Sequence, residues 1–392
     1  MTDWLDLLVR WLHVIAGMAW IGTSFYFVYL DLSLRPPPTS AAVDEGVGGE
    51  FWAVHGGGFY RVQKYRVAPT VLPERLHWFK WEAYTTWLSG FLLFVVLYWA
   101  NAGTLLVDPQ VADISPGLAI AISAGLLALA WVVYDLLCRT LGRNDLVLAV
   151  ALAAFVVAAA YVTTRLFSGR AAYVEVGAML GTMMAGNVLF NIIPAHRELV
   201  RAKEAGRDPD PAPGIKAKQR SVHNNYLTLP VVFAMISNHF PRTYGHEHSW
   251  LVLLALMAIG AWVRHFFNLR HRGRNVWAIP ATAALAVAAL ALALRPGEEG
   301  TGSVAHGRVA FARVERIMSE RCAACHSATP TRSDTAPKGI MFDTPEQIAS
   351  QVAAIRRQAV ESRAMPPGNA TGMTEEERAL LAAWIRQGAK VR

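Results

Sequence analysis

Cysteine and charge are both scarce in this 392-residue chain. Its three cysteines, Cys138, Cys322 and Cys325, are too few for a secreted fold of this size that depends on disulfides. Charged residues make up only 17% of the sequence and apolar residues 54%, so the polar surface is too small to cover several soluble domains. Cys138 stands alone at the end of an apolar stretch, where we expect an inert small hydrophobe.

A cleavable targeting signal and a nucleic-acid-binding surface are also missing. The N-terminal apolar stretch begins with Asp3 and Asp6, is too long for a signal peptide and lacks a small-x-small cleavage site, so we expect a spanning helix. The net charge is +8, but the basic residues lie mostly between apolar segments. Since no block of Lys and Arg interleaved with stacking aromatics stands apart from them, a nucleic-acid partner is not expected.

Long apolar runs are what the sequence has in abundance. A run of about 20 residues can span a bilayer, and many of these runs have Trp and Tyr at their edges, as in interfacial belts. Eight runs lie at roughly 5–30, 82–101, 116–138, 145–164, 172–194, 225–240, 249–270 and 276–295. The sequence therefore predicts an all-α protein: an eight-helix membrane domain over residues 1–295, a linker at 296–306 and a small polar domain at 307–392.

Lysine and arginine are concentrated in alternate connections of this bundle. The connections after the first, third, fifth and seventh helices carry them, from Arg35 to Arg274, whereas the opposite connections contain only Arg165, Arg170 and Arg242. Because positively charged connections stay in the cytoplasm, eight helices place both termini outside. The predicted location is a bacterial inner membrane, contacted by lipid, with the polar domain in the periplasm.

The polar domain contains Cys322-Ala-Ala-Cys325-His326, the C-x-x-C-H pattern of c-type haem attachment. Two thiols at this spacing reach the two vinyl-derived carbons of one haem, and the adjacent histidine supplies an axial nitrogen. The alternatives are a chance match and a zinc half-site, but the chain has no second cysteine pair to complete a zinc site. Thioether attachment takes place outside the cytoplasm, in agreement with the topology.

A second axial ligand is expected after this motif. Met365 is the preferred candidate because the two prolines that follow it have fixed φ angles and stiffen the loop. Met341 and Met373 are its rivals. A His/Met pair raises the reduction potential of the iron, so the domain is expected to accept electrons readily.

The rest of the polar domain has the pattern of a small class I-like cytochrome c. A helix over 307–320 leads into the haem motif, and Thr374-Glu375-Glu376-Glu377 is a capping box that opens another helix, ending near Gly388. One apolar face of this second helix is expected to pack on the first helix and on the haem edge. That face consists of Leu380, Leu381, Trp384 and Ile385.

Polar residues inside or near the spans are functional candidates because histidine is rare there. His13 lies in the outer half of the first helix, and Gly17 one turn on leaves room for a flat group, which suits a b-type haem. An outer set consists of His239, His246 and His248. An inner set consists of His77, His196, His223, His265, Lys80, Glu82, Asn187, Asn191, Arg220, Asn224, Asn225 and Asn268. This density of donors and acceptors is typical of a binding site; histidines that merely sit at the interface are the alternative.

The first cytoplasmic connection contains a glycine-rich segment, Trp52–Tyr60. Three consecutive glycines let backbone amides approach a ligand closely, which makes His55 and Tyr60 candidate substrate contacts. Three cations that suit an anion follow it: Arg61, Lys64 and Arg66. A flexible turn beside a positive-inside run is the alternative.

Over almost its full length the sequence resembles the bacterial membrane-bound urate hydroxylases, also called cytochrome c urate oxidases. The most specific stretches are Trp11–Gly22, Trp52–Tyr60, His77–Gly90, Gly181–Pro194 and Arg220–His239, with the haem motif and Met365. The resemblance implies an eight-helix urate oxidase domain fused to a cytochrome c. It implies oxidation of urate to 5-hydroxyisourate with oxygen from water. Electrons would leave through one haem c to a soluble cytochrome c or a terminal oxidase, without hydrogen peroxide.

Urate is a planar monoanion at neutral pH, so its site calls for a cation, amide partners, an aromatic surface and a general base. The candidate catalytic residues are His77, His223, His265, Lys80 and Glu82, with one histidine as the base. The candidate substrate-binding residues are Arg220, Asn224, Asn225, His55 and Tyr60. If urate reacts at the inner face, about 30 Å of hydrocarbon separates it from the haem. Either the site then lies near His13 and His239, or a further redox group lies between.

Two other functions fit part of the sequence. A membrane-anchored cytochrome that relays electrons from quinol to a terminal oxidase would not need such polar connections. A transporter with a redox-sensing tail would show paired Gly/Pro interruptions near the midplane, a pattern that the sequence lacks. Urate-dependent reduction of the haem without oxygen separates the enzyme from the electron carrier.

Overall fold

Helices occupy all eight stretches that the sequence predicts as spans. The computed structural model describes residues 2–37, 39–295 and 308–391, so the predicted linker at 296–306 lies outside the described residues. The helices up to residue 295 are α1 (Thr2–Ser33), α2 (Ser40–Asp44), α3 (Trp81–Phe94), α4 (Pro116–Leu141), α5 (Asp145–Leu166), α6 (Gly169–Gly186), α7 (Ile193–Glu204), α8 (Pro211–Ile236), α9 (Pro241–Tyr244), α10 (Ser249–His271) and α11 (Ala278–Ala293). A π-helical turn, Val95–Trp99, extends α3, and another, Asn187–Ile192, joins α6 to α7.

Membrane-spanning length and apolarity are clearest for part of this set. Among the described residues, five helices are long and apolar enough to cross a membrane: Trp4–Ser33, Pro116–Leu141, Asp145–Leu166, Gly169–Glu204 and Ser249–His271. The α-helical part of α3 has 14 residues and α11 has 16, while the first half of α8 is polar. The protein is thus mainly helical with the character of a membrane protein, and eight crossings stay a prediction.

A β-hairpin in the first long connection corrects the all-α expectation. Strand β1 (Val47–His55) pairs antiparallel with β2 (Gly58–Tyr65), and His55 lies opposite Gly58. Gly56 and Gly57 form the two-residue turn, with φ angles of 58° and 82° that favour glycine. The glycines therefore form a defined hairpin turn beside the basic residues, and the role of this segment as a substrate loop stays a prediction. A Gly-Gly pair between runs of aromatic and β-branched residues is the sequence signal for such a hairpin.

Helix α6 lies at the centre of the bundle and packs against α4, α5 and α8. The Tyr173 side chain is fully buried, and its hydroxyl lies 2.9 Å from the carbonyl oxygen of Thr243. A Cβ on Gly177 would lie 2.9 Å from the Cβ of Ala234, so glycine lets α8 approach α6 closely. Close packing over small residues is a main source of helix association in membranes.

The described C-terminal residues, 308–391, form a small helical unit with its own apolar core. Its helices are α12 (Phe311–Ile317), α13 (Pro345–Ser350), α14 (Val352–Ile355) and α15 (Glu375–Arg386), with π-helical turns at Met318–Cys322 and Arg356–Glu361. Leu381 and Trp384 of α15 are buried in one cluster with Val314 and Ile317 of α12. The predicted packing of these two helices is confirmed.

Hydrogen bonds at the helix starts account for two of these elements. The Thr374 hydroxyl accepts from the N–H of Glu377, and the Glu377 carboxylate accepts from the N–H of Thr374. This reciprocal pair confirms the predicted capping box. Thr344 and Gln347 form a second capping box at the start of α13.

Replacing Gly186 by alanine should destabilise the protein, because its new Cβ would collide with the indole ring of Trp131 on α4. Such overpacking typically costs about 1–3 kcal/mol. The matched change Gly181→Ala, in the same helix, meets no described atom within 4 Å and should be neutral or stabilising by up to about 1 kcal/mol. Thermal unfolding of the purified variants in detergent measures both. Equal melting temperatures for the two variants would contradict this packing of α4 on α6.

Candidate functional site

The Cys322–His326 segment forms a tight turn at the end of the π-helical extension of α12. The N–H groups of Cys325 and His326 donate to the carbonyl oxygen of Cys322 at 3.1 and 2.9 Å. The Nδ1 atom of His326 lies 3.0 Å from the carbonyl oxygen of Ile340, which assigns the proton to Nδ1 and leaves Nε2 with a free lone pair. Axial haem histidines are oriented in this way, so the segment fits a c-type haem.

The environment of Cys322 fits a thioether better than a thiolate. The side chain packs against the apolar core of the unit, and this burial raises the pKa of the Cys322 thiol to about 12. Zinc sites bind thiolates, so a thiol that stays protonated is poorly suited to them. Within the described ranges, no three His, Cys, Asp or Glu side chains gather closely enough to hold a metal ion. The assignment of the motif to a haem rather than to a zinc half-site stays a prediction.

Met365 packs against the same apolar core as Cys322. Its N–H donates to the carbonyl oxygen of Gln358 at 2.9 Å, and its carbonyl oxygen accepts from Arg378 at 2.9 Å. Met373 is fully buried within that core, whereas the Met365 side chain is only partly buried. The choice of Met365 over its rivals Met341 and Met373 as the second axial ligand stays a prediction.

The loop that follows Met365 rests on the connection between α3 and α4. A Cβ on Gly368 would lie 2.5 Å from the carbonyl oxygens of Thr104 and Val107, so the two segments approach as closely as glycine permits. The amide of Gln110 also donates to the carbonyl oxygen of Met373 at 3.1 Å. The C-terminal unit thus contacts a connection that is poor in Lys and Arg, on the side that the charge distribution predicts to be outside.

A cluster of charged side chains forms a second contact between the C-terminal unit and the bundle. Arg242 of α9 donates to the Glu361 carboxylate at 2.8 Å, and Arg356 donates to it at 2.7 Å. Burial alone would raise the pKa of Glu361, but the hydrogen bonds from Arg242 and Arg356 outweigh burial and hold that pKa below its ordinary value. The carboxylate is therefore ionised at neutral pH and links the C-terminal unit to the bundle.

Within the bundle, a hydrogen-bonded network lies between α4, α8 and the π-helical turn Asn187–Ile192. The Tyr134 hydroxyl lies 2.9 Å from Nδ1 of His223 and accepts from the amide of Asn187 at 2.7 Å. That amide also donates to Oδ1 of Asn224 at 2.8 Å. Single π-helical turns inside α-helices are frequent at functional sites. The fold therefore brings together Asn187, His223 and Asn224 of the predicted inner set.

Arg220 belongs to the same network and is neutralised within it. Its side chain is buried, pairs with Asp135 at 2.8 Å and lies over the ring of Tyr134. The amide of Asn224 donates to the carbonyl oxygen of Met184 at 3.0 Å. A polar network that is satisfied by its own members is rigid. These predicted substrate contacts therefore have strong partners inside the protein.

A second polar cluster lies between α8 and α10. Oδ1 of Asn225 accepts from Nε of Arg264 at 3.0 Å and from the amide of Asn268 at 2.9 Å. Nδ1 of His265 lies 2.7 Å from the hydroxyl of Tyr226. The ring of His265 also stacks on an indole ring of α10. The cluster contains three more residues of the predicted inner set, on two helices that pack along most of their length.

The other predicted site residues lie outside these two clusters. His77 is exposed, Lys80 lies over an indole ring and Glu82 occupies the first turn of α3. His55 and Tyr60 are exposed on the hairpin. In the part of the chain that the structure describes, no hydrogen bond links these five side chains to either cluster.

The cations of the hairpin are partly neutralised. Arg61 pairs with Glu50 at 2.6 Å, and its hydrogen bonds hold the pKa of the Glu50 carboxyl below its ordinary value. Lys64 pairs with Asp31 of α1. An anion at the hairpin would compete with these carboxylates, so the hairpin has less support as a substrate loop than the two clusters.

His13 lies in the seam between α1 and α3. Its Nδ1 is 3.0 Å from the carbonyl oxygen of Thr86 and 3.2 Å from the hydroxyl of Ser89. A Cβ on Gly90 would lie 2.7 Å from the imidazole, so glycine is required for α3 to pass it. A b-type haem on His13 stays a prediction. His196 lies outside the two clusters, at or near the surface of the bundle. The same is true of the three outer histidines, His239, His246 and His248.

Four residues with functional character escape the sequence reasoning: Tyr134, Glu175, Arg264 and His271. Glu175 and Arg264 are 0% and 4% exposed inside helices that could span a membrane. An ionisable residue within a span is itself a signal of function, and that signal is sufficient to find both. Tyr134 carries no such signal, because tyrosine near a helix end is an ordinary interfacial residue.

Comparison with known proteins adds one match. A family model described as urate oxidase N-terminal matches residues 1–295. The matched region contains α1 to α11 and both polar clusters, and it ends before the C-terminal unit. No curated protein and no solved structure matches the chain.

Replacing Glu361 by glutamine should weaken the contact between the C-terminal unit and the bundle. Because the folded-state pKa of Glu361 is lowered, its contribution is fully present above the ordinary carboxyl pKa and is lost as pH falls through the lowered value. We expect Glu361→Gln to lower stability at pH 7 by roughly 1 kcal/mol. The difference from wild type should shrink as pH falls below the ordinary carboxyl pKa and disappear once Glu361 is protonated.

Thermal unfolding of the full-length protein at several pH values measures this difference. The control is Glu315→Gln, at an exposed position of α12, which should match wild type throughout. A Glu361→Gln effect of equal size at every pH would contradict the assigned role of the carboxylate.

Proposed function

We propose that this chain, which belongs to the urate oxidase N-terminal family over residues 1–295, oxidises urate in its helical bundle and passes the electrons to a haem c on the C-terminal unit. The observation that carries the proposal is the direct contact of the two parts. The loop after Met365 lies against the α3–α4 connection so closely that only glycine fits at position 368. Such a contact suits transfer of electrons from the bundle to the C-terminal unit.

The proposed reaction consumes one water molecule for each urate. The oxygen of water forms a bond to C5 of the urate monoanion, and the product is neutral 5-hydroxyisourate. Two electrons and one proton are released, which balances both atoms and charge. Because the electrons leave through the C-terminal unit rather than to oxygen, no hydrogen peroxide forms. A haem held by the C-terminal unit would supply a one-electron acceptor, so each urate would need two acceptor equivalents.

Cys322 and Cys325 would hold the haem through thioether bonds, and His326 and Met365 would ligate its iron, supplying a one-electron acceptor of raised potential. The carbonyl oxygen of Ile340 accepts from Nδ1 of His326 and sets the orientation of the imidazole. The hydrogen bonds to the backbone of Met365 fix its loop. These local constraints support the assignment.

His223 and His265 have more structural support than His77 as the general base. Nδ1 of each lies 2.9 or 2.7 Å from a tyrosine hydroxyl. In each pair either Nδ1–H donates to the hydroxyl or the hydroxyl donates to Nδ1. In the first tautomer Nε2 is free to take a proton from substrate or water, and in the second Nε2 carries the proton. His77 is exposed. The further candidates remain Lys80 and Glu82 for catalysis, and Arg220, Asn224, Asn225, His55 and Tyr60 for substrate binding.

The proposed location is a bacterial inner membrane with the C-terminal unit on the periplasmic side. Support comes from the contacts of that unit with the α3–α4 connection and with Arg242 of α9, in connections that are poor in basic residues. A soluble cytochrome c or a terminal oxidase on that side would take the electrons onward.

Urate should reduce the haem in membranes from which oxygen is excluded. At limiting urate we expect two haems reduced per urate, because each urate gives up two electrons. The absorbance of the reduced c-type band measures this ratio, and a Cys322→Ala, Cys325→Ala variant controls for other cytochromes. If quinol reduces the haem and urate does not, the protein is instead a membrane-anchored cytochrome that relays electrons from quinol to a terminal oxidase.

Alanine at His223 or His265 should slow urate-driven haem reduction, because a general base typically contributes about 10²–10⁴-fold. Anaerobic stopped-flow mixing of urate with the purified protein gives the rate. The exposed His248→Ala is the matched control and should retain the wild-type rate. Wild-type rates in both His223→Ala and His265→Ala would exclude these two histidines as the general base and leave His77 as the candidate.

A further inference from the structure

Arg264 is a buried cation that no carboxylate of residues 2–37, 39–295 or 308–391 neutralises. It is 4% exposed on α10 and lies seven residues before the end of that helix at His271, roughly 10 Å into the bundle. By contrast, the buried Arg220 pairs with Asp135 at 2.8 Å. An unpaired cation inside a membrane domain is costly and usually marks the path or the site of an ion or substrate.

The amides beside Arg264 also have unused hydrogen-bonding capacity. Oδ1 of Asn225 already accepts from Arg264 Nε and from Asn268 Nδ2, which holds the three side chains together. Three buried atoms remain without a partner among the described residues: Nη2 of Arg264, Nδ2 of Asn225 and Oδ1 of Asn268. Since buried polar groups are nearly always satisfied, two donors and one acceptor at one place point to a ligand.

The same face of α10 continues toward the inner end of the bundle. Arg264, Asn268 and His271 are spaced four and three residues apart, so their side chains line one face. This face meets α1, where the ring of Phe25 lies 3.7 Å from the guanidinium carbon and the ring of Tyr29 lies 4.8 Å from that of His271. Nδ1 of His271 is buried and likewise has no partner in the described part of the chain.

We infer that Arg264, Asn225 and Asn268 bind the anionic substrate by an edge where an N–H group stands beside a carbonyl oxygen. Nη2 of Arg264 and Nδ2 of Asn225 donate to its oxygen atoms and negative charge, and Oδ1 of Asn268 accepts from its N–H. Phe25 lies against the guanidinium, and Tyr29 supplies aromatic surface for a flat ligand. The identity of the ligand as urate rests on the proposed function. Arg220 and Asn224, satisfied by their own partners, then position the helices rather than bind substrate.

Urate binding to the full-length, haem-containing protein tests the inference. The protein is purified in detergent and kept without oxygen with the haem already reduced, so that bound urate is not oxidised, and titration calorimetry gives Kd. We expect Arg264→Gln to raise Kd on the order of 100-fold, since hydrogen bonds to a charged group are lost. Arg270→Gln removes the same charge from an exposed position of the same helix and should leave Kd unchanged.

Two further measurements separate ligand binding from a merely structural role. Nη2 of Arg264 has no hydrogen-bond partner among the described residues and is therefore available to urate. Added urate should raise the melting temperature of wild type, and this rise should disappear in Arg264→Gln. Asn268→Ala should raise Kd roughly 10-fold. It should also reduce the preference for urate over 1,3,7-trimethylurate, which keeps the carbonyl groups and lacks three N–H donors.

The outcomes are distinct. Wild-type Kd values in Arg264→Gln and Asn268→Ala, with urate still bound and still reducing the haem in wild type, would overturn this inference and leave the proposed function standing. 1,3,7-Trimethylurate that binds wild type as tightly as urate does would overturn the recognition of an N–H edge. Wild-type protein that neither binds urate nor is reduced by it would overturn both the inference and the proposed function. If Arg264→Gln does not fold, Asn268→Ala decides.

Discussion

Polar groups enclosed among apolar helices impose the constraint on which the rest of this structure depends. Inside a membrane domain each backbone or side-chain polar group must find a partner in the protein. The hydroxyl of Tyr134 meets this requirement by linking His223 of α8 to Asn187 of the π-helical turn. The pair of Arg220 with Asp135 ties α8 to α4 in the same way. These bonds define how α4, α6 and α8 sit against one another.

The two polar clusters differ in how far their members satisfy each other. Around Tyr134 the donors and acceptors largely pair within the protein, which gives a rigid wall. Around Arg264 a cation and two amides hold each other through one oxygen atom and leave three atoms without partners among the described residues. A rigid wall beside an unsatisfied set is the arrangement expected of a preorganised binding site. On the proposed assignment, the cluster around Tyr134 holds the helices and the cluster around Arg264 binds the ligand.

The position of the Arg264 cluster also sets the distance that electrons would have to travel to the C-terminal unit. Arg264 lies fifteen residues from the start of α10 at Ser249, or roughly 22 Å along the helix axis. The C-terminal unit docks at that starting end, beside the α3–α4 connection and α9. Electrons from a urate bound at Arg264 would have to cross most of this length. A second redox group in the seam between α1 and α3, where His13 lies, would shorten the path.

Features that depend on neighbours along the chain could be predicted from the sequence alone. They include the eight helical stretches, the Cys322–His326 motif and the capping box at Thr374, because hydropathy, adjacent ligands and helix caps are local properties. The hairpin turn at Gly56 and Gly57 also depends on neighbouring residues, so the Gly-Gly pair is sufficient to predict it. The sequence also shows that the histidines and asparagines of the inner set lie at or near the ends of the predicted helices.

Which of these side chains pair with each other is decided only by the tertiary structure. In the sequence Arg220 precedes a predicted span and Arg264 lies inside one, and neither position shows which carboxylate lies near it. Asp135, eighty-five positions from Arg220 in the chain, neutralises one of them, and no carboxylate in the described ranges reaches the other. The reason is physical: an ion pair requires a few ångströms between charges, and that distance is set by how α4, α8 and α10 pack rather than by residue spacing.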